Sequence, residues 1–140
     1  MDDWVRIERG IFDQLLAEAR ANPNIECCGL LAGCDAVISA ILPAKNALQS
    51  PKAYEIAPQE LFELFRRIRS AGLEHLGIYH SHPNGENAPS PLDIERAFYP
   101  ESAYLIISMH PAASYPIRAF RIVEAQAREL SLQIIEPNGF

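Results

Sequence analysis

Apolar residues near the start of the chain follow two different periods. Val5 and Ile7 alternate with polar neighbours and predict a short first strand. Ile11, Leu15, Leu16 and Ala19 then recur at helical spacing and predict a helix over about Gly10–Ala21, ended by Asn22-Pro23-Asn24. Ile25–Ala32 is a dense apolar run interrupted by Glu26 and Gly29, the pattern of a buried strand. Gly33-Cys34-Asp35 reads as a tight turn, and Ala36–Leu42 as the returning strand of a hairpin. Pro43–Pro58 is polar and broken by prolines, with Ala53–Ile56 predicted as a short edge strand inside it. Pro58 then opens an amphipathic helix carrying Leu61, Phe62, Leu64, Phe65 and Ile68 to about Ala71, with Arg66, Arg67 and Arg69 as a solvated basic face.

The second half continues the alternation of strands and helices. Leu76, Ile78 and Tyr79 mark a buried strand stopped by Pro83. Ser90-Pro91 opens a helix through Ile94 and Ala97 to Phe98, closed by Pro100. Ala103–Met109 suits a central strand ended by His110-Pro111. Ile117–Val123 alternates with Arg118 and Arg121, as a half-exposed strand does. Leu130, Leu132, Ile134 and Ile135 give a last strand before the Pro137-Asn138-Gly139 tail. There is no internal repeat or low-complexity linker. Helices interleaved with groups of strands predict an α/β protein, one mixed sheet sandwiched by helices, with residues 1–140 forming a single domain.

Composition narrows the function classes. Of the 140 residues 49% are hydrophobic, enough for a packed core. Eighteen acidic against twelve basic residues give a net charge of −6. No basic run is present, which argues against nucleic acid and against a polybasic membrane contact. The opening MDDWVRIERG has no apolar signal core, and no stretch approaches the ~18 apolar residues of a membrane span, so the expected compartment is the cytoplasm. Cys27, Cys28 and Cys34 are too few and wrongly spaced for a disulfide framework or a Cys-x-x-Cys zinc site. Cys27 and Cys28 read as small buried strand residues. His75 and His110 read as ordinary surface or loop residues.

The candidate chemistry lies in Gly77–Asp93, GIYHSHPNGENAPSPLD. Strand residues two apart project to one side, so His80 and His82 emerge together where the strand ends. The loop through Pro89 turns back to a helix start at which Asp93 can meet the two imidazoles. Two histidines and a carboxylate form a coherent N/O ligand set for Zn²⁺, and catalytic zinc sites keep three protein ligands with the fourth position for water. Taken singly, the features have plainer readings. His-Ser-His can be polar residues at a strand end, and Ser90-x-x-Asp93 a capping box. Capping and ligation do not exclude each other.

His80-Ser81-His82, the seven residues Pro83–Pro89, then Ser90 and Asp93 resemble the signature of the JAMM (MPN-plus) metalloproteases. NIECCGLLAG around Glu26 is similar to the upstream segment of that family. The resemblance covers most of the chain. It implies a cytidine-deaminase-like architecture, and one zinc held by His80, His82 and Asp93 with a water as nucleophile. It implies Glu26 as general acid/base and Ser90 as a partner of the oxyanion. The compact chain resembles the shorter prokaryotic members, which implies hydrolysis of peptide or isopeptide bonds at the C-terminal tail of a ubiquitin-like or sulfur-carrier protein. Without the resemblance, Glu26 is a strand-end residue facing solvent.

Three rivals are weighed on the same residues. A non-catalytic MPN-type scaffold that binds partners usually lacks the metal ligands, which this chain retains. A zinc nucleobase deaminase expects His-x-Glu and a later Pro-Cys-x-x-Cys, and the sequence has neither. A structural zinc site is closed by four protein ligands, and the segment offers no fourth.

Overall fold

β1 (Trp4–Glu8) alternates, and Val5 and Ile7 point inward. α1 (Arg9–Ala21) buries Ile11, Leu15 and Ala19, one stripe at i, i+4 and i+8. β2 (Cys28–Cys34) and β3 (Val37–Ala44) form a hairpin. Its turn falls one residue later than the sequence predicts. Cys34 is paired with Val37, and Asp35 and Ala36 make the two-residue loop with φ of 53° and 62°. Two positive φ values give the turn the hand that matches strand twist. The computed structural model describes residues 3–137; the Asn138-Gly139 part of the expected tail lies outside them.

α2 (Pro58–Ser70) starts with proline at its first turn and buries Leu64 and Ile68, while Phe62 faces solvent, off the expected apolar stripe. β4 (Glu74–Ser81) leads to α3 (Pro91–Glu95), β5 (Ala103–Ile107), β6 (Ile117–Val123) and β7 (Gln126–Ile135). α3 is one turn long and does not reach Phe98. Beyond Glu95 the Arg96 N–H is shared between the Leu92 and Ile94 carbonyls, and the chain turns so that Ile94, Ala97 and Tyr99 pack beneath α2. Tertiary packing overrides the helical period there.

Ala53–Ile56 is not a strand. Two of its backbone groups are held by the Asn46 side chain instead of a ladder: Asn46 Nδ2 donates to the Ala53 carbonyl and Asn46 Oδ1 accepts from the Glu55 N–H. His75 also departs from expectation. It lies in β4, half-buried, with its ring edge-on to Phe65 and Tyr99, whereas His110 is exposed in a loop.

The sheet is mixed, with strand order β1-β3-β2-β4-β5-β6-β7, and it closes on itself. β1 runs parallel to both β3 and β7, so Val5 faces Leu132 across the seam. β4 and β5 are also parallel; the other pairs are antiparallel. Alternation along the strands divides the core. Leu31, Tyr79, Leu105 and Ile107 face α1, and Leu30, Ile78, Tyr104 and Ile106 face α2. His80 lies two residues beyond Ile78 and belongs to the α2 side. Gly29 is required by close approach: a Cβ there would fall 2.4 Å from the Leu42 carbonyl and 2.6 Å from the Tyr79 ring and hydroxyl.

Candidate metal centre and active site

The end of β4 delivers the two imidazoles. His80 is paired with Cys28 on one side and Ile106 on the other, which buries it to 1% exposure. His82 lies just past the strand, where its N–H donates to the Ile107 carbonyl at 2.8 Å. The two Nε2 atoms are 3.0 Å apart. Asp93 Oδ2 is 3.1 Å from each of them.

Asp93 is aimed by the capping box. The Ser90 hydroxyl accepts from the Asp93 N–H at 3.1 Å, and the Ser90 N–H donates to Asp93 Oδ2 at 2.9 Å. Capping and convergence on the imidazoles therefore use the same carboxylate oxygen. His82 is oriented by its other nitrogen: Nδ1–H donates to the Glu86 carbonyl at 2.8 Å, leaving Nε2 as a bare lone pair. His80 is held by stacking on Tyr54, with ring centroids 4.5 Å apart, and its Nδ1 is buried without a partner.

Glu26 stands just before β2, not within it. Ligand atoms of Glu26, His80, His82 and Asp93 all lie within 4.8 Å of one another. Glu26 is 3% exposed and its Oε1 has no hydrogen-bond partner. The solvent-facing alternative for this residue does not hold. The Cys27 N–H donates to Ser81 Oγ at 2.9 Å, and the Ser81 N–H donates to the Cys27 carbonyl at 3.0 Å, so the middle residue of His-Ser-His ties β4 to the Glu26 segment. Cys27 and Cys28 are buried as expected, and burial pushes their thiols up to about 11 and about 12.

Electrostatics separate the four groups. Burial pushes the Glu26 carboxyl up to about 7; His82 opposes the rise and Asp93 adds to it. Burial also works against ionised Asp93, but the two adjoining imidazoles, when they carry protons toward it, outweigh burial and hold the carboxyl well below the usual range. Burial lowers His80 against the pull of Asp93. His82 is less enclosed, so the Asp93 carboxylate overcomes burial and raises it.

The donor set fits a divalent cation. Two imidazole nitrogens and a carboxylate oxygen crowd together, and His82 holds its proton on the far nitrogen. Zinc–donor bonds of ~2.0–2.1 Å place tetrahedral donors ~3.3 Å apart, a few tenths from the observed spacing. Beside Asp93 opens an apolar hollow of about 190 Å³, lined by Leu30, Tyr54, Ile56, Ile78, Phe98 and Tyr104. The sequence gives no site role to Tyr54, Asn46 or Ser81. A lone aromatic in a polar, proline-broken segment was the available signal for Tyr54; Asn46 and Ser81 carried none.

A closed mixed sheet with helices on both sides, ending in this cluster, is the architecture of JAB/MPN-type proteins. The chain belongs to the family of prokaryotic homologs of the JAB domain, whose model matches residues 8–123. It is 42% identical over 103 residues to the desampylase of Haloferax volcanii, covering 69% of this chain and 74% of that protein. It is 29% identical over 132 residues to the CysO-cysteine peptidase of Mycobacterium tuberculosis, covering 93% and 90%. It is 32% identical over 130 residues to a probable TtuB-protein conjugate cleaving protease of Thermus thermophilus, covering 92% and 82%. A Desulfitobacterium hafniense protein solved in solution superposes with a TM-score of 0.82 at 32% identity, over 94% of this chain and 93% of that one. No helix among the described residues is long and apolar enough to cross a membrane.

Proposed function

We propose that this chain is a zinc-dependent peptidase or isopeptidase acting at the C-terminus of a ubiquitin-like or sulfur-carrier protein, where that tail is joined to an amine. The observation that carries the reading is the pairing of a three-donor cluster with a buried, unpaired carboxylate, Glu26, within 4.8 Å of it. A partner-binding scaffold role gives no reason to bury that fourth group without a partner beside the three donors. The relatives, a CysO-cysteine peptidase and a probable TtuB-protein conjugate cleaving protease among them, support the substrate class.

In this account His80, His82 and Asp93 hold one zinc. When bound, zinc supplies Lewis acidity, lowering the pKa of a water toward ~7 and polarising a carbonyl. Glu26 takes a proton from the attacking water, whose oxygen bonds to the carbonyl carbon. The same carboxyl returns a proton to the nitrogen as the C–N bond breaks, so the products are a free carboxylate tail and a free amine. Burial raises the Glu26 carboxyl in the metal-free protein, the direction that favours a group able both to take and to return a proton. The Ser90 oxygen is occupied as an acceptor from the Asp93 N–H, which leaves the hydroxyl proton to donate to the oxyanion. An extended tail would lie along Ala53–Ile56 with its apolar residues in the adjoining hollow. The 140 residues act as one catalytic domain, and the compartment is the cytoplasm.

The test uses zinc-loaded protein, a ubiquitin-like protein joined through its Gly-Gly terminus to a fluorogenic amine, and unrelated peptide amides of the same leaving group. Release after Gly-Gly with little release from the unrelated amides is expected. No release, or equal release from both, overturns the assignment. Binding of the fusion without any release favours the scaffold alternative.

A further inference from the structure

Glu26 precedes β2, so its backbone is not held by the sheet ladder. Both of its backbone groups are instead taken by the segment that follows β3. The Glu26 N–H donates to the Ser50 carbonyl at 2.9 Å. The Glu26 carbonyl accepts from Asn46 Nδ2 at 3.0 Å. Asn46 is 3% exposed, and every polar atom of its side chain is used. Nδ2 also donates to the Ala53 carbonyl at 2.9 Å, and Oδ1 accepts from the Leu48 and Glu55 N–H groups at 3.0 and 3.2 Å. The same side chain thus fixes Glu26 and the backbone on either side of Tyr54. Tyr54 in turn stacks on His80 and lines the hollow beside Asp93.

A carboxylate buried without a side-chain partner has nothing but its backbone to place it. That placement comes from the Ser81 clamp on Cys27 and from the Ser50 carbonyl and the Asn46 amide on Glu26 itself. We propose that Asn46 is a positioning residue for the reaction, aligning Glu26 for proton transfer and tying that alignment to the Tyr54 wall of the substrate groove. The proposal rests on the reading of Glu26 as the proton-transfer group. An extended tail seated against Ala53–Ile56 stabilises the segment that holds Glu26. Binding remote from the scissile bond is then expressed in turnover more than in affinity.

Removing the amide should loosen Glu26 without touching the three cluster ligands. Asn46→Ala is expected to keep its zinc, to speed amide exchange at Glu26 in the metal-free protein by about tenfold or more, and to lower kcat about tenfold or more on the Gly-Gly fluorogenic conjugate with KM changed less than about threefold. The deciding measurement is a double-mutant cycle with Glu26→Gln. If Asn46 acts through Glu26, its removal costs less than about twofold in the residual hydrolysis of the Glu26→Gln protein. The same tenfold loss in both backgrounds, or wild-type kcat in a folded, zinc-containing Asn46→Ala protein, overturns the proposal. Should the alanine variant not fold, Asn46→Ser, which keeps one donor, is carried through the same cycle. Wild-type activity in Glu26→Gln alone is a different result: it refutes the role of Glu26, not the link from Asn46.

Discussion

Glu26 is expected to destabilise the protein that it serves, and Glu26→Gln measures by how much. The carboxyl is 3% exposed and one of its oxygens has no partner, so burial disfavours the charged form. Its pKa stands at about 7 in the folded chain against an ordinary 4.5. At 1.36 kcal/mol per pH unit that gap is worth ~3 kcal/mol. Because the folded value is the higher one, the protonated group's contribution to stability is fully present below pH ~4.5. It is lost as the pH rises through about 7. Glutamine stays neutral throughout. In metal-free protein the stability difference between Glu26→Gln and wild type should therefore grow by ~3 kcal/mol between pH ~4.5 and ~8, then level off. For a chain of this size that is ~10 °C in Tm. Chelator-treated samples of both proteins, melted across that range, give the difference curve directly, and subtraction removes the titrations the two share. The zinc-loaded variant should lose about 10²-fold or more in hydrolysis. A flat difference curve refutes the buried, unpaired carboxylate, and unchanged hydrolysis refutes its role.

Two further substitutions separate chemistry from architecture. Ser90→Ala removes the acceptor for the Asp93 N–H, which should cost ~1 kcal/mol of stability, and removes the oxyanion donor, which should cost about 10²-fold in kcat. Melting and kinetics on one sample distinguish them, and a lowered Tm with unchanged kcat leaves Ser90 as a cap only. Gly29→Ala places a methyl 2.4 Å from the Leu42 carbonyl and 2.6 Å from Tyr79, and overpacking of that kind should destabilise the fold by ~1–3 kcal/mol or more. Denaturant unfolding checks it, and a change within ~0.5 kcal/mol shows that Tyr79 can move aside.

The convergence of His80, His82 and Asp93 could be read in the sequence because each step is local. A two-residue strand spacing sets the imidazoles side by side, and a four-residue capping box turns the carboxylate toward them. Glu26 is 54 residues from His80, and only the register that pairs Cys28 with His80 brings it near; the sequence offers it through family resemblance and its odd position at the head of an apolar run. Closure of the sheet depends on β1 and β7, parallel partners at opposite ends of the chain, and no local pattern encodes that seam. Ala53–Ile56 has strand-like composition, but the polar groups that would join a ladder are taken by Asn46. α3 stops after one turn because packing of Ile94, Ala97 and Tyr99 beneath α2 outweighs the helical period that continues to Phe98.

Elemental analysis of wild type beside His82→Ala decides whether His80, His82 and Asp93 hold one zinc. His82 supplies one of three mutually adjacent donors, but it lies past the end of β4 and its backbone N–H still bonds Ile107, so the variant should fold. Wild type is expected to carry one zinc per chain and His82→Ala, folded and treated identically, close to none. Full zinc occupancy in the folded variant, or none in wild type after zinc loading, contradicts the account.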